Sequence, residues 1–175
     1  MNEAFKTIRL LILDSDGVLT DNRIMVDSRG EVIYSYHVKD GQGLKSLMEA
    51  GIEIAIVSGR VSEALRHRAR ELGIAEVFTG VKDKGAVARE LIRKKGFGRE
   101  EVCCVGDDLP DLDLFREAAV SVAVADAAQE VLSAATFVTK NKGGHGAVRE
   151  VCEWILKGQG KWFDGTFGRA GEGED

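Results

Sequence analysis

The 175-residue sequence has no long apolar run, because no stretch approaches the roughly 18 uncharged apolar residues that a helix needs to cross a bilayer. It also has no excess of positive charge, since 24 Lys and Arg stand against 29 Asp and Glu, for a net charge of −5. An acidic balance argues against binding to a phosphate backbone. We therefore expect neither a membrane nor a nucleic acid as a partner.

Cysteine is scarce as well, with three residues, Cys103, Cys104 and Cys152. Their number is odd and the two adjacent cysteines cannot readily pair with each other, so we expect reduced thiols in the core instead of disulfides. The first residues, 1–6, lack the basic region and the apolar run of an export signal. These features predict a cytoplasmic protein.

The sequence does contain a series of short, continuous apolar runs separated by helical patterns. Strands that are buried on both faces give such runs, which is typical of a parallel sheet covered by helices. The runs cover Leu10–Leu13, Ile54–Val57, Val102–Val105, Val120–Val124 and Phe137–Thr139, and the helical patterns cover residues 62–72, 83–95, 126–135 and 146–156. We predict an α/β fold, a doubly wound, Rossmann-like parallel sheet with helices on both faces, in a single domain over residues 1–157.

Two segments depart from this alternation. From Arg23 to Val38 apolar residues alternate with period two around a turn at Asp27–Gly30, which predicts a β-hairpin inserted after the first strand. One face of this hairpin is apolar and needs a partner, such as another subunit. The last segment, residues 158–175, has six glycines with interspersed aromatics, which fits either an arm that docks elsewhere or a disordered tail.

Polar side chains follow the predicted strands at the points where the strands end. They are Asp14, Asp16, Ser58, Lys84 (after a weaker strand over residues 77–79), Asp107 and Asp108. Each alone could be a turn residue, a helix cap or a surface charge, but doubly wound folds bind their ligands at this edge of the sheet. Three carboxylates in one crevice repel each other unless a cation is present, and Mg²⁺ prefers oxygen ligands. A hydroxyl and an ammonium group beside that ion would hold phosphoryl oxygens, so the set predicts metal-assisted phosphoryl transfer.

Four segments in this order resemble the motifs of the haloacid dehalogenase superfamily of phosphatases. They are Asp14–Asp21 (DSDGVLTD), Ser58–Arg60, Lys84 and Gly106–Asp111. Three further segments, residues 38–43, 121–127 and 143–150, resemble the capless branch of that superfamily, which includes phosphatases of 3-deoxy-D-manno-octulosonate 8-phosphate. The segment between Asp16 and Ser58 is taken up by the hairpin and a helix, which leaves no room for a cap domain.

The resemblance implies a role for each matching residue. Asp14 would be the nucleophile that forms an aspartyl-phosphate, and Asp16 would protonate the leaving oxygen and then activate water. Asp14, the backbone carbonyl of Asp16 and Asp107 would hold Mg²⁺. Ser58 and Lys84 would bind the phosphoryl oxygens.

Further roles follow from the same resemblance. Asp108 and Asp111 would orient the metal ligands without touching the ion. The implied substrate is a small phosphorylated sugar acid of lipopolysaccharide biosynthesis, and its carboxylate calls for additional cations. Arg60 is the first candidate for this contact, followed by Lys39 and His145, although many relatives carry Arg where His145 stands. The branch also implies a homotetramer in which hairpins of neighbouring subunits pair and part of an adjacent subunit covers the site.

Three alternatives remain open at this stage. The enzyme could act on another sugar-acid phosphate, such as a nine-carbon ulosonate. The chain could instead be a non-catalytic oligomerisation module, although such a module has no need to retain Asp14, Asp16, Ser58, Lys84 and Asp107 together. A phospho-receiver domain shares the acidic Mg²⁺ site, but it is shorter and carries its phosphorylated aspartate on a later strand.

Overall fold

The computed structural model describes residues 2–162, and these contain eight β-strands. The strands are β1 (Leu10–Leu13), β2 (Met25–Val26), β3 (Val32–Ile33), β4 (Glu53–Ser58), β5 (Glu76–Thr79), β6 (Val102–Gly106), β7 (Val120–Ala123) and β8 (Phe137–Val138). Six of them form a parallel sheet in the order β5-β4-β1-β6-β7-β8, and β2 and β3 form a separate antiparallel pair. The predicted doubly wound α/β fold is confirmed.

Helices pack around this sheet. They are α1 (Val38–Glu49), α2 (Glu63–Leu72), α3 (Lys84–Lys95), α4 (Leu112–Glu117), α5 (Gln129–Ala134) and α6 (Ala147–Gly158). Short 3₁₀ turns lie at Asn2–Phe5, Arg99–Glu101 and Leu109–Asp111. Within residues 2–162, no helix combines the length and the apolar character needed to cross a bilayer. The chain between β1 and β4 forms the hairpin and α1, so no cap domain is inserted there.

Two helices have the boundaries that their sequence predicts. The Ser62 side chain accepts the backbone N–H of Leu65 at 3.2 Å and begins α2, and Gly73 ends that helix in the left-handed conformation, with φ of +82°. Likewise, Asp83 begins α3 and Gly96 ends it. Such caps satisfy backbone groups that have no partner inside the helix.

The core is centred on β1 and β6, in which every residue is buried. Each Leu, Ile or Val side chain removed from water there stabilises the fold by about 1.5–3 kcal/mol. Cys103 and Cys104 lie in β6, Cys152 lies in α6, and all three are free thiols in the core, as predicted. Burial raises the pKa of each of these thiols, so they stay protonated and act as packing residues.

The hairpin is shorter than its sequence pattern predicts. Only two residue pairs connect β2 to β3, Met25 with Ile33 and Val26 with Val32, and both pairs are exposed. Val38, predicted as the end of the hairpin, is instead the first residue of α1. The pattern continued to Val38 because alternation cannot show where a strand gives way to a helix.

Two helices also differ from their predicted lengths. Helix α5 begins at Gln129, three residues later than predicted, because the carboxylate of Asp126 accepts the backbone N–H of Gly143 at 3.0 Å and holds a loop. Helix α6 continues through Gly158, and Trp162 then packs against Arg149 and Lys157. The prediction of a docking or disordered tail falls mainly on residues 163–175, which lie outside the described residues.

Candidate active site

A cavity of about 300 Å³ opens at the carboxyl ends of β1, β4 and β6. The three strands are adjacent and in register, since Leu13 pairs with Ile56 on one side and with Val105 on the other. Residues that follow these strands therefore meet at one edge of the sheet. The sequence-predicted residues that line the cavity are Asp14, Asp16, Ser58, Arg60, Lys84, Asp107, Asp108 and Asp111.

Two predicted substrate residues do not line this cavity. Lys39 lies in the first turn of α1, and His145 lies in the loop before α6; both are exposed. The structure therefore does not bring Lys39 or His145 together with the acidic residues in the described chain.

Lys84 connects two of the carboxylates. Its Nζ lies 2.6 Å from Oδ1 of Asp14 and 2.6 Å from Oδ1 of Asp111, and all three side chains are buried. Burial lowers the pKa of Lys84, but the charges of Asp14 and Asp111 outweigh it, so the pKa lies above its ordinary value. Lys84 is therefore an ammonium ion fixed at the bottom of the cavity.

Asp14 follows β1, and its backbone N–H donates to the carbonyl of Val105 at 3.1 Å, which extends the pairing with β6 by one residue. Burial raises the pKa of Asp14, the charge of Asp111 adds to the increase, and Lys84 opposes it. One oxygen of Asp14 accepts from Lys84. The carboxylate is thus held in one orientation on the cavity floor.

Asp107 follows β6 and has a more strongly negative environment. Burial, followed by the charges of Asp14, Asp111 and Asp108, raises the pKa of Asp107 to about 8. Its Oδ2 accepts the side-chain N–H of Asn22 at 3.1 Å. A carboxyl group in this state gains the most from a nearby cation, because the cation favours the charged form.

Asp111 forms hydrogen bonds with Lys84 and with the backbone at Asp107 and Asp108. Its Oδ1 accepts from Lys84, and its Oδ2 accepts the backbone N–H groups of Asp107 at 2.9 Å and Asp108 at 3.2 Å. Both of its oxygens are therefore engaged within the protein. Asp108 is the N-cap of the 3₁₀ turn, because its Oδ1 accepts the N–H of Leu109 at 2.8 Å.

These carboxylates fit a divalent cation. One oxygen each from Asp14, Asp107 and Asp111 lie within 4.8 Å of one another, all three residues are buried, and the donors are oxygens alone. Oxygen-only sets that carry several negative charges suit Mg²⁺. Because Asp111 is engaged with Lys84 and two backbone groups, Asp14 and Asp107 are the side chains whose oxygens remain for the ion.

Asp16 lies at the mouth of the cavity and is partly buried. Burial raises its pKa, while the charges of Arg60 and Lys84 and the nearby Tyr34 hydroxyl lower it, and the net shift is upward. The Arg60 Nε lies 3.6 Å from Oδ2 of Asp16. Ser58 is buried, and its Oγ accepts the backbone N–H of Arg60 at 3.2 Å.

Glycines fix the loop that carries Asp14 and Asp16. Gly17 has φ of +93°, and a Cβ there would overlap the carboxylate of Asp107. From the other side, a Cβ at Gly143 would overlap the carbonyl oxygen of Gly17, and Gly144 donates its N–H to the carbonyl of Val18 at 3.0 Å. The loop is therefore clamped between Asp107 and residues 143–144.

Two residues of the site were missed by the sequence reasoning. Asn22 directly follows the Asp14–Asp21 segment. Its residue type, which is common in turns, was the one sequence feature that could have indicated a turn at this position. Tyr34 belongs to the predicted hairpin, where its aromatic ring was assigned only to an apolar face; the single-sequence pattern gave no sign that its hydroxyl lowers the pKa of Asp16.

Comparisons with known proteins agree with this geometry. The haloacid dehalogenase-like hydrolase family matches residues 72–151. The chain is 42% identical over 161 residues to the 3-deoxy-D-manno-octulosonate 8-phosphate phosphatase of Haemophilus influenzae, covering 92% of this chain and 89% of that one. A relative with the same activity from Yersinia pestis is 43% identical over 92% of this chain and 86% of its own length.

Solved structures give the same result. The 3-deoxy-D-manno-octulosonate 8-phosphate phosphatase of Yersinia pestis is similar with a TM-score of 0.90 at 41% identity, covering 91% of this chain and 86% of that one. The corresponding enzyme of Moraxella catarrhalis, solved with a magnesium ion, a phosphate ion and a KDO molecule, has a TM-score of 0.88 at 39% identity and covers 91% of both chains. The resemblance noted in the sequence motifs is confirmed.

Proposed function

The chain belongs to the capless phosphatase branch of the haloacid dehalogenase-like hydrolases, and from this premise we propose that it hydrolyses 3-deoxy-D-manno-octulosonate 8-phosphate to the free sugar acid and phosphate. That the chain is a Mg²⁺-dependent phosphatase follows from its relatives and its acidic site. The observation that carries the substrate proposal is the 42% identity to an enzyme of that name over 92% of this chain. Its role would be in lipopolysaccharide biosynthesis.

The proposed chemistry begins at Asp14. Its carboxylate oxygen forms a bond to phosphorus while the bond from phosphorus to the sugar oxygen breaks, which gives an aspartyl-phosphate. Asp16 donates a proton to the departing sugar oxygen and then takes one from the water that hydrolyses the aspartyl-phosphate. The position of Asp16 at the cavity mouth and its raised pKa both suit a group that must carry a proton near neutral pH.

The remaining residues would bind the phosphoryl group and the metal ion, or orient the side chains that do so. Ser58 Oγ and Lys84 Nζ would contact the phosphoryl oxygens, and Lys84 also holds Asp14 in place. Asp14, Asp107 and the backbone carbonyl of Asp16 would hold Mg²⁺, which when bound supplies positive charge against the phosphoryl oxygens. Asp108 and Asp111 would support this arrangement, since both hold the 3₁₀ turn that follows Asp107.

Arg60 is the residue proposed to recognise the sugar acid. It lines the cavity, its side chain is about half exposed at 53%, and its Nε lies 3.6 Å from Asp16. A guanidinium group binds a carboxylate through two parallel hydrogen bonds, so Arg60 can hold the substrate carboxylate at the mouth. Lys39 and His145 would reach a substrate only if it extends beyond this cavity or if another subunit completes the site.

We also propose that the protein is a homotetramer in the cytoplasm. The exposed apolar residues of the hairpin, among them Met25, Val26 and Ile33, give each subunit a surface that another copy would cover. The free, buried cysteines suit a reducing compartment. The phosphatase domain would extend beyond the predicted boundary at residue 157, because α6 continues through Gly158 and Gln159 Nε2 donates to the carbonyl of Ile8 at 2.7 Å.

The experiment is an assay of phosphate release from three compounds, each with Mg²⁺ or with EDTA. The compounds are 3-deoxy-D-manno-octulosonate 8-phosphate, arabinose 5-phosphate and an aryl phosphate. We expect a preference of at least about 100-fold in kcat/KM for the octulosonate, lost with EDTA, because a site built for a carboxylate rejects substrates without one. Similar weak turnover of all three would overturn the substrate, and a nine-carbon ulosonate phosphate would be assayed next.

Matched variants separate the enzyme from a non-catalytic oligomerisation module. Asp14→Asn should reduce phosphate release by at least about 1000-fold, because an amide cannot act as the nucleophile. Asp113→Asn changes an aspartate on α4 that pairs with Arg116, and it should keep full activity. Absence of Mg²⁺-dependent turnover in the unaltered protein would instead favour the module.

A further inference from the structure

Asn22 donates a hydrogen bond to the carboxylate of Asp107, a proposed metal ligand that is far from it in the sequence. It lies after the loop that follows β1 and lines the cavity, and its Nδ2 donates to Oδ2 of Asp107 at 3.1 Å. The two residues are 85 positions apart in the sequence. The contact therefore joins the Asp14 loop to the loop after β6.

The backbone of Asn22 is strained. Within residues 2–162 it alone, among residues other than glycine, has a positive φ, of 63°. This left-handed conformation is unfavourable for side chains with a Cβ and is tolerated best by Asn and Asp, whereas Gly adopts it freely. A strained residue at the edge of an active site suggests that its side chain has a function, because Gly would meet the backbone requirement at lower cost.

The groups around Asp107 show why the hydrogen bond from the Asn22 amide matters. The charged groups that lie around Asp107 are mainly carboxylates, those of Asp14, Asp111 and Asp108. The nearby ammonium group, Lys84, donates to Asp14 and Asp111 instead. In the described chain, the side-chain hydrogen bond to the carboxylate of Asp107 comes from Asn22.

A neutral amide is suited to this position. It fixes the direction of the Asp107 carboxylate through Oδ2, but it does not neutralise the negative charge as an ammonium group would. The other oxygen, Oδ1, is left for a cation. Hydrogen bonds of this kind orient metal ligands in other proteins and commonly change metal affinity by about 10- to 100-fold when removed.

We propose that Asn22 is a positioning residue for Mg²⁺, which holds Asp107 in the orientation that binds the ion. The proposal rests on the assignment of Asp107 as a metal ligand under the proposed function. Asn22 does not touch the substrate in this scheme and acts through Asp107 alone.

The test is isothermal titration of the full chain with Mg²⁺ in the absence of substrate, for the unaltered protein and for Asn22→Gly. Glycine keeps the left-handed backbone and removes only the amide, so the melting temperature in EDTA should not fall. We expect the Kd for Mg²⁺ to rise about tenfold. A Kd that stays within about twofold of the parent would overturn the proposal.

Two control variants make the result specific. Asn141→Ala removes a similar amide-to-carboxylate bond, from Asn141 Nδ2 to Glu150 at 3.0 Å, and neither residue lines the cavity. It should leave the Kd for Mg²⁺ unchanged, and an equal rise in both variants would refute a specific role for Asn22. Asp107→Ala should abolish measurable Mg²⁺ binding. If it binds Mg²⁺ as the parent does, the metal assignment itself fails; if only Asn22→Gly behaves as the parent, the assignment stands and the role of Asn22 fails.

Discussion

The Nζ of Lys84 lies 2.6 Å from Oδ1 of Asp14, although the two residues are 70 positions apart in the sequence. A second bond of 2.6 Å connects the same Nζ to Asp111, so one buried ammonium group holds two carboxylates. Together the two bonds link the start of α3 to the end of β1 and to the 3₁₀ turn that follows β6. Lys84 is therefore the cation that holds Asp14 and Asp111 together on the cavity floor.

Lys84→Met should destabilise the protein and inactivate it. Removing one partner from a buried ion pair leaves an uncompensated charge and costs about 3–5 kcal/mol. We expect a loss of that size in the free energy of unfolding, measured by urea denaturation in EDTA, and a loss of phosphate release of at least about 100-fold. Lys95→Met is the control, because Lys95 also contacts two carboxylates, those of Glu53 and Glu76, but near the surface. Its cost should be about 1 kcal/mol or less, and equal costs would contradict a special role for Lys84.

Asp16→Asn should separate the two halves of the reaction. An aryl phosphate has a good leaving group that needs little protonation, whereas hydrolysis of the aspartyl-phosphate still needs a base. We therefore expect an initial burst of aryl alcohol, close to one equivalent of enzyme, followed by slow turnover in a stopped-flow assay. With the sugar phosphate, both steps should be slow. Steady turnover at the parent rate with either substrate would exclude Asp16 as the acid and base.

Mg²⁺ binding should weaken as the pH falls below about 8, because the pKa of Asp107 is raised to about 8. Mg²⁺ must displace the proton from this carboxyl group, so its Kd should rise about tenfold between pH 7 and pH 6. Titration calorimetry in two buffers of different ionisation enthalpy would also detect the released proton. A Kd that is constant from pH 6 to pH 8 would show that Asp107 is already ionised.

The raised pKa of Asp107 also affects the stability of the metal-free protein. In the unfolded chain an aspartate ionises near pH 3.9, so between about pH 4 and pH 8 the folded protein binds the additional proton on Asp107. The stabilisation is fully present below the unfolded pKa and is lost as the pH rises through the folded value. The melting temperature in EDTA should therefore contain a component that falls over this range and is absent in Asp107→Asn.

Gly143→Ala should disturb the loop that carries Asp14 and Asp16 from outside the cavity. The added methyl group would overlap the carbonyl oxygen of Gly17, so one of the two loops must shift. We expect a cost of about 1–3 kcal/mol in stability and a clear fall in kcat. Gly51→Ala is the control, because Gly51 has φ of +84° but open space around it. That variant should carry backbone strain and keep the kcat of the parent.

Ile33→Glu should break the proposed tetramer. Ile33 and its partner Met25 are both about half exposed, at 54% and 52%, and a buried unpaired charge is strongly unfavourable at an interface. Light scattering after size-exclusion chromatography should show a smaller species than for the parent. Val138→Glu changes an exposed residue on the edge strand β8 and should keep the parent mass. A monomeric parent protein would refute the tetramer directly.

The sheet and its functional edge could be predicted from the sequence because their signals are local. Continuous apolar runs such as Leu10–Leu13 are long enough to identify buried strands, and chain order then places Asp14, Ser58 and Asp107 at one edge. Helices α2 and α3 were predictable because Ser62 and Asp83 cap them through their own side chains.

Other features depend on contacts between distant segments and left no local signal. The start of α1 at Val38 interrupts a pattern that still alternates, and α5 is shortened because Asp126 binds the N–H of Gly143. The double contact of Lys84 with Asp14 and Asp111 likewise exists only after three elements have packed together. A single sequence carries the residue types of such contacts but not their pairing.

The position of β1 between β4 and β6 also determines when during folding the metal site can form. The first strand of the chain lies at the middle of the sheet, and both of its neighbours are made later. Pairing between segments so far apart in sequence is slow, because the entropy of closing a long loop is lost before stabilising contacts form. Asp14 and Asp107 therefore remain separated until the central pairing is complete. We therefore expect the rate at which a refolding chain takes up Mg²⁺ to report closure of the central sheet.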